Sequence, residues 1–523
     1  MVRGQRFLAR RDGAIAPAFA ILLVPLLLAA GAAVDYGRVI DRRAEMQGSL
    51  DAGVLAAAST RDVDPATAKS IIRAMVDANL SDLDDWVIDE PTVTADYVRS
   101  QAEFTVPTTF MRLMGMDSMS IALVAEARRP RGKTEVALVL DNTGSMASGN
   151  KIGALRTAAA DLVDILEASV SNPADLKIAV VPFVTAVNIK SPGAYKDSWI
   201  DRTGAALYNG QNMQGTIHMR DHWSIFDALA GVKAEWAWKG CVEARPEPFA
   251  LDDTPPTASN PNTLFVPYLW PDEPDEPTTM DKGKTVSAYD NSYLVDQVSG
   301  NVEIRQALVE KYRSGQVPIP QKPTPAAKPY NTHGPNKSCG QPVLPLTTDL
   351  AAVRAAIAAM QPWDDSGTNV AEGIMWGLRV LSPEEPFSEG ANWSDPVTRK
   401  YLVVLTDGAN VIFGGDTGYA AKSHNKSQYT SWGYVANGRF DGASSIAAAR
   451  DQVDVYTAKA CEAARKKGIT IHAITFLLND AKTKSLFRAC ADAGKYYDSP
   501  KTSDLAGIFA SIARDITPIR LAR

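Results

Sequence analysis

The longest apolar pattern lies near the N-terminus and follows a basic segment. Four arginines occur within residues 1–13, and the run 14–34 that follows contains no charged residue. A helix of this length, at about 1.5 Å per residue, spans roughly the 30 Å hydrocarbon core of a membrane. Because basic flanks stay on the cytoplasmic side, the pattern predicts a single-pass anchor over 14–34 with 1–13 inside. The remainder of the chain is then expected outside.

A cleaved signal peptide is the alternative interpretation of this run. The small residues at 29–33 would suit a peptidase, but the run exceeds the usual 7–15 apolar residues of such peptides. A weaker apolar stripe at near-helical spacing continues after the run and ends before Pro65. It predicts a helical stalk over 35–64, with a pilin-like rod packing on sister helices as the alternative.

Residues 65–130 have the pattern of a small α+β domain. A helical pattern covers 66–80, and β-forming residues then alternate or cluster at 92–98, 103–106 and 120–127. Pro130 and the residues after it mark a linker. We therefore expect a separate membrane-proximal domain.

Beyond residue 131, apolar strands alternate with amphipathic helices. The strand patterns are continuous apolar runs, typical of strands that are buried on both faces of a parallel sheet. They occur at 135–140, 177–183, 401–405 and 469–476, and helical patterns occur at 151–170, 349–360, 369–381, 453–467 and 503–516. This alternation predicts an α/β fold with a doubly wound, mainly parallel sheet, in two parts, 131–189 and 343–523.

The segment 190–342 interrupts the alternation. It holds 17 of the 32 prolines and five of the ten tryptophans of the chain. Proline removes a backbone donor and restricts its neighbour, so this density disfavours regular elements. The composition predicts a large irregular insertion built on the surface.

The net charge disfavours a nucleic-acid-binding protein, and the number of cysteines favours disulfides. A net charge of −6 gives no reason to expect nucleic acid as a partner. An even number of cysteines in an exported chain suggests disulfides, and four cysteines allow three connectivities. We favour Cys241–Cys339 and Cys461–Cys490, because each pair closes within one structural unit. No short Cys-x₂-Cys spacing favours a metal site instead.

Carboxylate and hydroxyl residues follow the predicted strands where these strands end. Asp141, Thr143 and Ser145 come after the first strand, Asp407 comes after the strand 401–405, and Thr368 precedes a helix between them. Ligands of open α/β sheets bind at the carboxyl ends of strands, so these loops are expected to converge. An all-oxygen set suits a hard cation, Mg²⁺ in the first place, with Mn²⁺ or Ca²⁺ as alternatives. Strand-end turns and helix caps favour the same residue types and are the competing explanation.

The set resembles the metal-ion-dependent adhesion site of von Willebrand A domains, D-x-S-x-S followed by a distant Thr and a distant Asp. The resemblance implies that the hydroxyls of Thr143 and Ser145 bind the metal directly, with Thr143 in place of the usual serine. It implies that Thr368 binds directly or through water, that Asp141 and Asp407 hold coordinating waters, and that one position stays open for an acidic partner group. Candidate partner-binding residues in these loops are Asn142, Asp365 and Asn410.

A second resemblance concerns the whole chain. The segments 10–20 and 50–58 are similar to TadE/TadG-type proteins of tight-adherence (Tad) pilus systems, and the stretch 238–246 and the loop 410–439 are similar to TadG-like members. The resemblance implies a pilus assembly or adhesion protein of the bacterial inner membrane, with its bulk periplasmic or extracellular. Its partners would be Tad pilus components or an acidic surface ligand.

Two other functions share some of these features. An envelope scaffold or partner of an assembly ATPase would use the same domain without metal-bridged adhesion, but an outside-facing domain disfavours a cytoplasmic ATPase. A metal-dependent hydrolase would need a general base such as His or Glu, and the three loops contain none. We therefore expect a binding protein and not an enzyme.

Overall fold

The computed structural model describes most of the chain in two compact units. The described residues are 15–60, 63–80, 86–94, 97–128, 132–170, 172–215, 220–275, 277–281, 284–287, 289, 291–296, 299–313, 316, 318, 333–363, 367–414, 423–517 and 520–521. The basic segment 1–13 lies outside them. The first unit is formed by Met1–Arg131, Ala168–Ser171 and Thr517–Arg523, and the second by Gly132–Glu167 and Asn172–Ile516.

The helices and strands have the following bounds. The helices are α1 (Ile15–Ser59), α2 (Pro65–Asn79), α3 (Lys151–Ser169), α4 (His222–Val232), α5 (Val302–Ala307), α6 (Leu350–Ala358), α7 (Val370–Leu381), α8 (Ile446–Lys466), α9 (Ala481–Cys490) and α10 (Asp504–Ile516). The strands are β1 (Trp86–Ile88), β2 (Thr92–Val93), β3 (Tyr97–Pro107), β4 (Ser118–Arg128), β5 (Lys133–Asp141), β6 (Leu176–Phe183), β7 (Val187–Asn188), β8 (Cys241–Val242), β9 (Pro277–Asp281), β10 (Lys284–Ser287), β11 (Leu344–Thr347), β12 (Thr398–Thr406), β13 (Thr470–Phe476), β14 (Tyr496–Ser499) and β15 (Arg520–Leu521).

Helix α1 contains the predicted anchor and extends well beyond it. Its stretch from Phe19 to Ser59 is, within the described ranges, the one helix long and apolar enough to cross a membrane, with a mean hydropathy of 2.0. Large apolar side chains in its N-terminal half are exposed, as those of a lipid-facing helix would be. They include Phe19, Ile21, Leu22, Val24, Leu26 and Leu27. An N-terminal apolar helix of this kind fits membrane anchoring.

The C-terminal half of α1 is packed inside the first unit. Met46, Leu50 and Val54 are fully buried in one core with residues of α2, β3 and β4. At Gly53 an added Cβ would lie 3.0 Å from Cα of Ile72, so the absence of a side chain permits the close approach of α1 and α2. The segment predicted as a stalk, 35–64, is therefore largely a core helix, because its apolar stripe has a sheet to pack against.

An antiparallel sheet completes the first unit. Its order is β1-β3-β4-β15, with β2 paired to β3. Buried and exposed residues alternate along β3 and β4, as in a sheet with one covered face. The two residues of β15 pair with Arg128 and Ala127 of β4. The end of the chain thus belongs to the first unit, whereas the sequence placed it in the second part of the α/β domain.

The second unit is built around a six-stranded mixed sheet in the order β11-β6-β5-β12-β13-β14. The five strands from β6 to β14 are parallel, and the edge strand β11 is antiparallel to β6. Eight of the nine residues of β5 are buried, in agreement with the continuous apolar run in the sequence. The mixed α/β class is confirmed.

Helix α7 shows how the segment 190–342 contributes to this fold. All twelve residues of α7 are buried, and its glycines permit contact with the sheet: a Cβ at Gly377 would lie 2.6 Å from Cγ2 of Val139. Aromatic residues of the segment share one core with α7 and the sheet. They are Trp199, Trp236, Trp238, Phe265, Tyr293 and Tyr312. The described part of the segment contains the short elements α4, α5 and β8 to β10, and its aromatic side chains extend the core, whereas the sequence predicted an irregular insertion built on the surface.

Both predicted disulfides are present. Cys241 of β8 is bonded to Cys339, 98 positions along the chain, and Cys461 of α8 is bonded to Cys490 of α9, 29 positions along. These bonds use all four cysteines of the sequence. The favoured connectivity is confirmed, and each bond joins segments of the second unit.

Candidate functional site

The site begins where β5 ends. Asp141 is the last residue of the strand and is fully buried. Its Oδ1 accepts hydrogen bonds from the backbone N–H of Thr143 at 2.8 Å and from the Thr143 hydroxyl at 2.7 Å. Its Oδ2 accepts a hydrogen bond from the hydroxyl of Thr406, the last residue of β12, at 2.7 Å. Asp141 thus joins the ends of two neighbouring strands.

A chain of polar contacts continues from Thr143 to Asp407. The hydroxyls of Thr143 and Ser145 lie 3.1 Å apart, and Ser145 donates to Oδ1 of Asp407 at 2.6 Å. Ser145 and Asp407 are 262 positions apart in the sequence. The parallel pairing of β5 with β12 brings them together, because Leu140 is in register with Leu405. Asp141, Thr143, Ser145 and Asp407 therefore converge at one edge of the sheet.

Lys151 supplies a positive charge to this cluster. Its ammonium lies 2.8 Å from Oδ2 of Asp407, and both side chains are largely withdrawn from solvent. Lys151 begins α3, which the short 3-10 helix Gly144–Asn150 connects to the site. Lys151 and Thr406 were not predicted from the sequence to belong to the site. Thr406 directly precedes Asp407 in the sequence, which was the signal available for it, whereas the contact of Lys151 depends on the fold.

Burial and a neighbouring carboxylate determine the protonation of Asp141. Burial raises the pKa of Asp141 to about 7, and the charge of Asp407 acts in the same direction. The hydrogen bonds from Thr143 and Thr406 act against both effects. Two carboxylates are thus held close together in a buried place, where a cation would favour their ionised forms.

The raised pKa predicts how pH affects stability in the absence of metal. The unfolded state loses the Asp141 proton near pH 3.8 and the folded state near pH 7, so the unfolding free energy should fall as the pH rises between these values. Asp141→Asn removes this titration. Chemical unfolding in EDTA at several pH values should show wild type losing stability relative to the variant across this window. A pH-independent difference would contradict the prediction.

Thr368 lies close to the site in the fold but outside its hydrogen-bonded chain. It is buried, and its backbone exchanges hydrogen bonds with Val411, four positions after Asp407. Within the part of the chain that the structure describes, its hydroxyl makes no hydrogen bond to the other four predicted residues. Its metal-binding role stays a prediction.

The three partner-contact candidates have different positions. Asn142 is fully buried, its Nδ2 donates to Gln341 Oε1 at 3.0 Å, and its Oδ1 accepts no hydrogen bond from the described residues. Asn410 is also buried: it accepts from the N–H of Val370 and donates to Asp454. These contacts fit residues that hold the loops together more than residues that meet a partner. Asp365 lies outside the described residues.

The donor set fits a hard divalent cation. Among the residues described, no three His, Cys, Asp or Glu side chains form a metal-binding group. This site has two carboxylates, so a cation here would depend on the hydroxyls of Thr143 and Ser145 and on water. Mg²⁺ accepts such a set because it binds oxygen ligands and retains several waters. The ammonium of Lys151 would compete with it for Asp407.

Comparison with known proteins identifies the N-terminal segment. Residues 13–60 match the family described as "Putative Flp pilus-assembly TadE/G-like". The resemblance of the anchor to TadE/TadG-type proteins is confirmed over these residues, which include the whole of α1. A Tad segment fits a pilus component. No curated protein matches the chain.

Several solved structures are similar to the chain at low identity. The pilus adhesin SpaC from Lactobacillus rhamnosus GG is 12% identical over 83% of this chain and 35% of its own, with a TM-score of 0.31. The vWF domain of the type V pili tip protein Mfa5 from Porphyromonas gingivalis is 10% identical over 74% and 96%, with a TM-score of 0.32. The PilB minor pilin from Streptococcus sanguinis is 13% identical over 83% and 77%, with a TM-score of 0.32. This chain thus spans about a third of the SpaC chain.

Proposed function

We propose that this chain is a membrane-anchored Tad pilus assembly or adhesion protein that recognises a protein partner through a divalent cation. Its second unit would be a doubly wound von Willebrand A-type domain with the cation, Mg²⁺ or else Mn²⁺ or Ca²⁺, at the strand ends. The observation that carries the proposal is the chain of oxygen atoms that runs from Asp141 through Thr143 and Ser145 to Asp407, in which only Ser145 is exposed. The proposal is for a binding protein and not for an enzyme.

The roles of the residues follow from their chemistry. Ser145 and Thr143 would offer hydroxyl oxygens to the cation, as Thr368 would directly or through water. Asp141 and Asp407 would orient coordinating waters and balance the charge of the cation. An acidic group of the partner would complete the coordination, because carboxylate oxygen is the ligand that such cations prefer. Recognition would then require both the metal and the acidic group.

The anchor and the disulfides support a proposal for the location of the domain. We propose a single-pass protein of the bacterial inner membrane with its N-terminus inside and its bulk in the periplasm or outside. Two disulfides in the second unit support an oxidising compartment. A C-terminal alkaline phosphatase fusion on the full chain should be active, whereas a C-terminal green fluorescent protein fusion exported by the same route should be dark. The reverse pattern would favour the assembly-ATPase partner.

Proximity labelling tests the proposed partner. The full chain carrying a labelling enzyme at its C-terminus is compared with its Asp407→Asn variant, which keeps the shape of the side chain but removes its charge. Pilus-assembly proteins should be labelled by wild type and lost both in the variant and after EDTA treatment. Equal labelling in all three conditions would contradict metal-bridged recognition, even if the labelled proteins belong to the pilus.

Lys151 provides a separate prediction for the metal site. Lys151→Met should bind Mg²⁺ about tenfold more tightly than wild type, because a hydrogen bond to a charged group contributes about 1.5–3 kcal/mol and the ammonium competes for Asp407. Isothermal titration calorimetry measures the affinity. Lys501→Met, which removes an exposed lysine elsewhere in the second unit, is the control and should leave it unchanged. Weaker binding by Lys151→Met would mean that the lysine supports the site.

A further inference from the structure

The first unit exposes an apolar loop beside its long helix. Residues 108–117 connect β3 to β4, and we refer to them as the 108–117 tip. The base of the tip is closed by two hydrogen bonds: Thr108 donates its backbone N–H to the carbonyl oxygen of Asp117 and its hydroxyl to that of Met116. Residues Met111–Met114 form a turn of 3-10 helix that ends at Gly115, whose φ of 84° suits glycine. The tip is thus an ordered turn.

Four large apolar side chains of the tip are exposed. Phe110 is 41% exposed, Leu113 77%, Met114 45% and Met116 44%, and none of the residues in the 3-10 helix is buried. Four large apolar side chains exposed within seven consecutive residues are more than the scattered apolar residues of an ordinary surface. Such a cluster indicates a surface that meets another apolar medium.

The tip lies beside the apolar run of α1. An added Cβ at Gly31 would lie 2.7 Å from Cβ of Phe110, so the phenyl ring packs directly on the helix at that residue. Gly31 is three residues before Val34, where the uncharged run ends, a distance of about 4.5 Å along a helix. Phe110 therefore reaches the level of the apolar run and not only the charged helix beyond it.

Hydrogen bonds hold the tip at this height. The carboxylate of Asp35 accepts from the backbone N–H groups of Thr109, Phe110 and Met111, at 2.6 to 3.1 Å. Arg38, one turn later, donates to the Thr109 hydroxyl at 3.0 Å. These bonds satisfy backbone donors that would be costly to leave unpaired at the edge of a bilayer. They also replace the water that would otherwise solvate the first carboxylate after the apolar run, Asp35.

We propose that the 108–117 tip inserts into the interfacial layer of the membrane that α1 crosses, as a second, shallow anchor. The inference rests on the proposed anchoring by α1. The occupant is lipid because the exposed side chains of the tip continue the exposed apolar surface of the same helix at the same height. Arg112, at the centre of the tip, is paired with Asp117 at 3.1 Å, and because both side chains are exposed it can exchange this partner for a phosphate headgroup. Two attachments instead of one would restrict the tilt of the first unit on the membrane.

Fluorescence quenching in vesicles tests the proposal with the full chain. Because the four native cysteines are paired, a single introduced cysteine is the only free thiol for an environment-sensitive fluorophore. The test position is Leu113→Cys, the control is Val87→Cys on β1, which is 66% exposed in the same unit, and the span reference is Leu27→Cys. The proteins are reconstituted in phosphatidylcholine–phosphatidylglycerol vesicles, with doxyl lipids as membrane quenchers and iodide as the aqueous one.

The expected result is a blue-shifted label at 113 that loses fluorescence to shallow doxyl lipids, while the label at 87 loses it to iodide. If iodide alone quenches label 113 while lipid quenches label 27, the proposed insertion of the tip is wrong and the proposed anchoring by α1 still holds. If neither quencher reaches label 113, the tip is covered by protein and the proposed insertion is wrong. If label 27 is not quenched by lipid either, the anchoring itself fails and the inference falls with it.

Discussion

The Asp141→Ala variant should bind Mg²⁺ about 10- to 100-fold more weakly than wild type, as expected when a group that orients metal ligands is lost. Asp141 accepts three hydrogen bonds and fixes the hydroxyl of Thr143, the predicted metal ligand next to it. Without the carboxylate, the hydroxyls lose both their orientation and a nearby negative charge. The Mg²⁺-dependent rise in melting temperature should therefore disappear, because a ligand that binds only the folded state stabilises it by mass action.

Calorimetry and thermal unfolding with and without Mg²⁺ measure this effect. Asp141→Asn is the companion variant, since it removes the charge but retains the shape and one acceptor oxygen, and it should also bind weakly. Asp161→Ala removes an exposed carboxylate from α3 and should behave like wild type. If Mg²⁺ stabilises both Asp141 variants as much as wild type, the cation site is elsewhere and the proposed recognition fails.

The second large effect should come from the disulfide between Cys241 and Cys339. Replacing both residues by serine should lower the unfolding free energy by about 4–5 kcal/mol, because a bond that closes a loop of this length restricts the unfolded chain strongly. The bond closes 98 positions, and both cysteines are buried. Urea unfolding followed by tryptophan fluorescence measures the change.

The second disulfide is the matched control for this prediction. The Cys461→Ser, Cys490→Ser double variant makes the same chemical change in a loop of 29 positions and should lose only about 3–4 kcal/mol. The first variant should also bind Mg²⁺ more weakly, since Gln341, two residues after Cys339, accepts the hydrogen bond from Asn142 beside Asp141. Equal losses of stability in the two variants would contradict the loop-length argument.

The site was predictable in part because some of its residues follow strands that the sequence marks by continuous apolar runs. Asp141 directly follows an apolar run and Asp407 follows one after the single residue Thr406, and parallel neighbouring strands bring such residues to one edge. The contact of Lys151 with Asp407 could not be predicted in the same way. Helix α3 could have pointed this lysine toward solvent, and only the packing of the 3-10 turn before it directs the ammonium to the carboxylate.

Asn142 and Asn410 were predicted to contact a partner, but both are buried. Asn142 and Asn410 are polar residues of strand-end loops, which usually face solvent. Here the segment 190–342 and helix α8 cover them, through Gln341 and Asp454 respectively. The burial of these two residues depends on contacts between residues far apart in the chain, so the local sequence pattern does not predict it.

Features that depend on local composition and on the spacing of apolar residues were predictable from the sequence alone. The uncharged run predicts a helix able to span a membrane, continuous apolar runs predict strands buried on two faces, and even cysteines predict disulfides. Only the tertiary structure decided that the C-terminal half of α1 is a core helix, that β15 returns to the first unit and that the Trp-rich segment builds core around α7. These features depend on contacts between residues that are far apart in the chain. A pattern of apolar residues shows which face of a helix or strand is buried but not which element covers it.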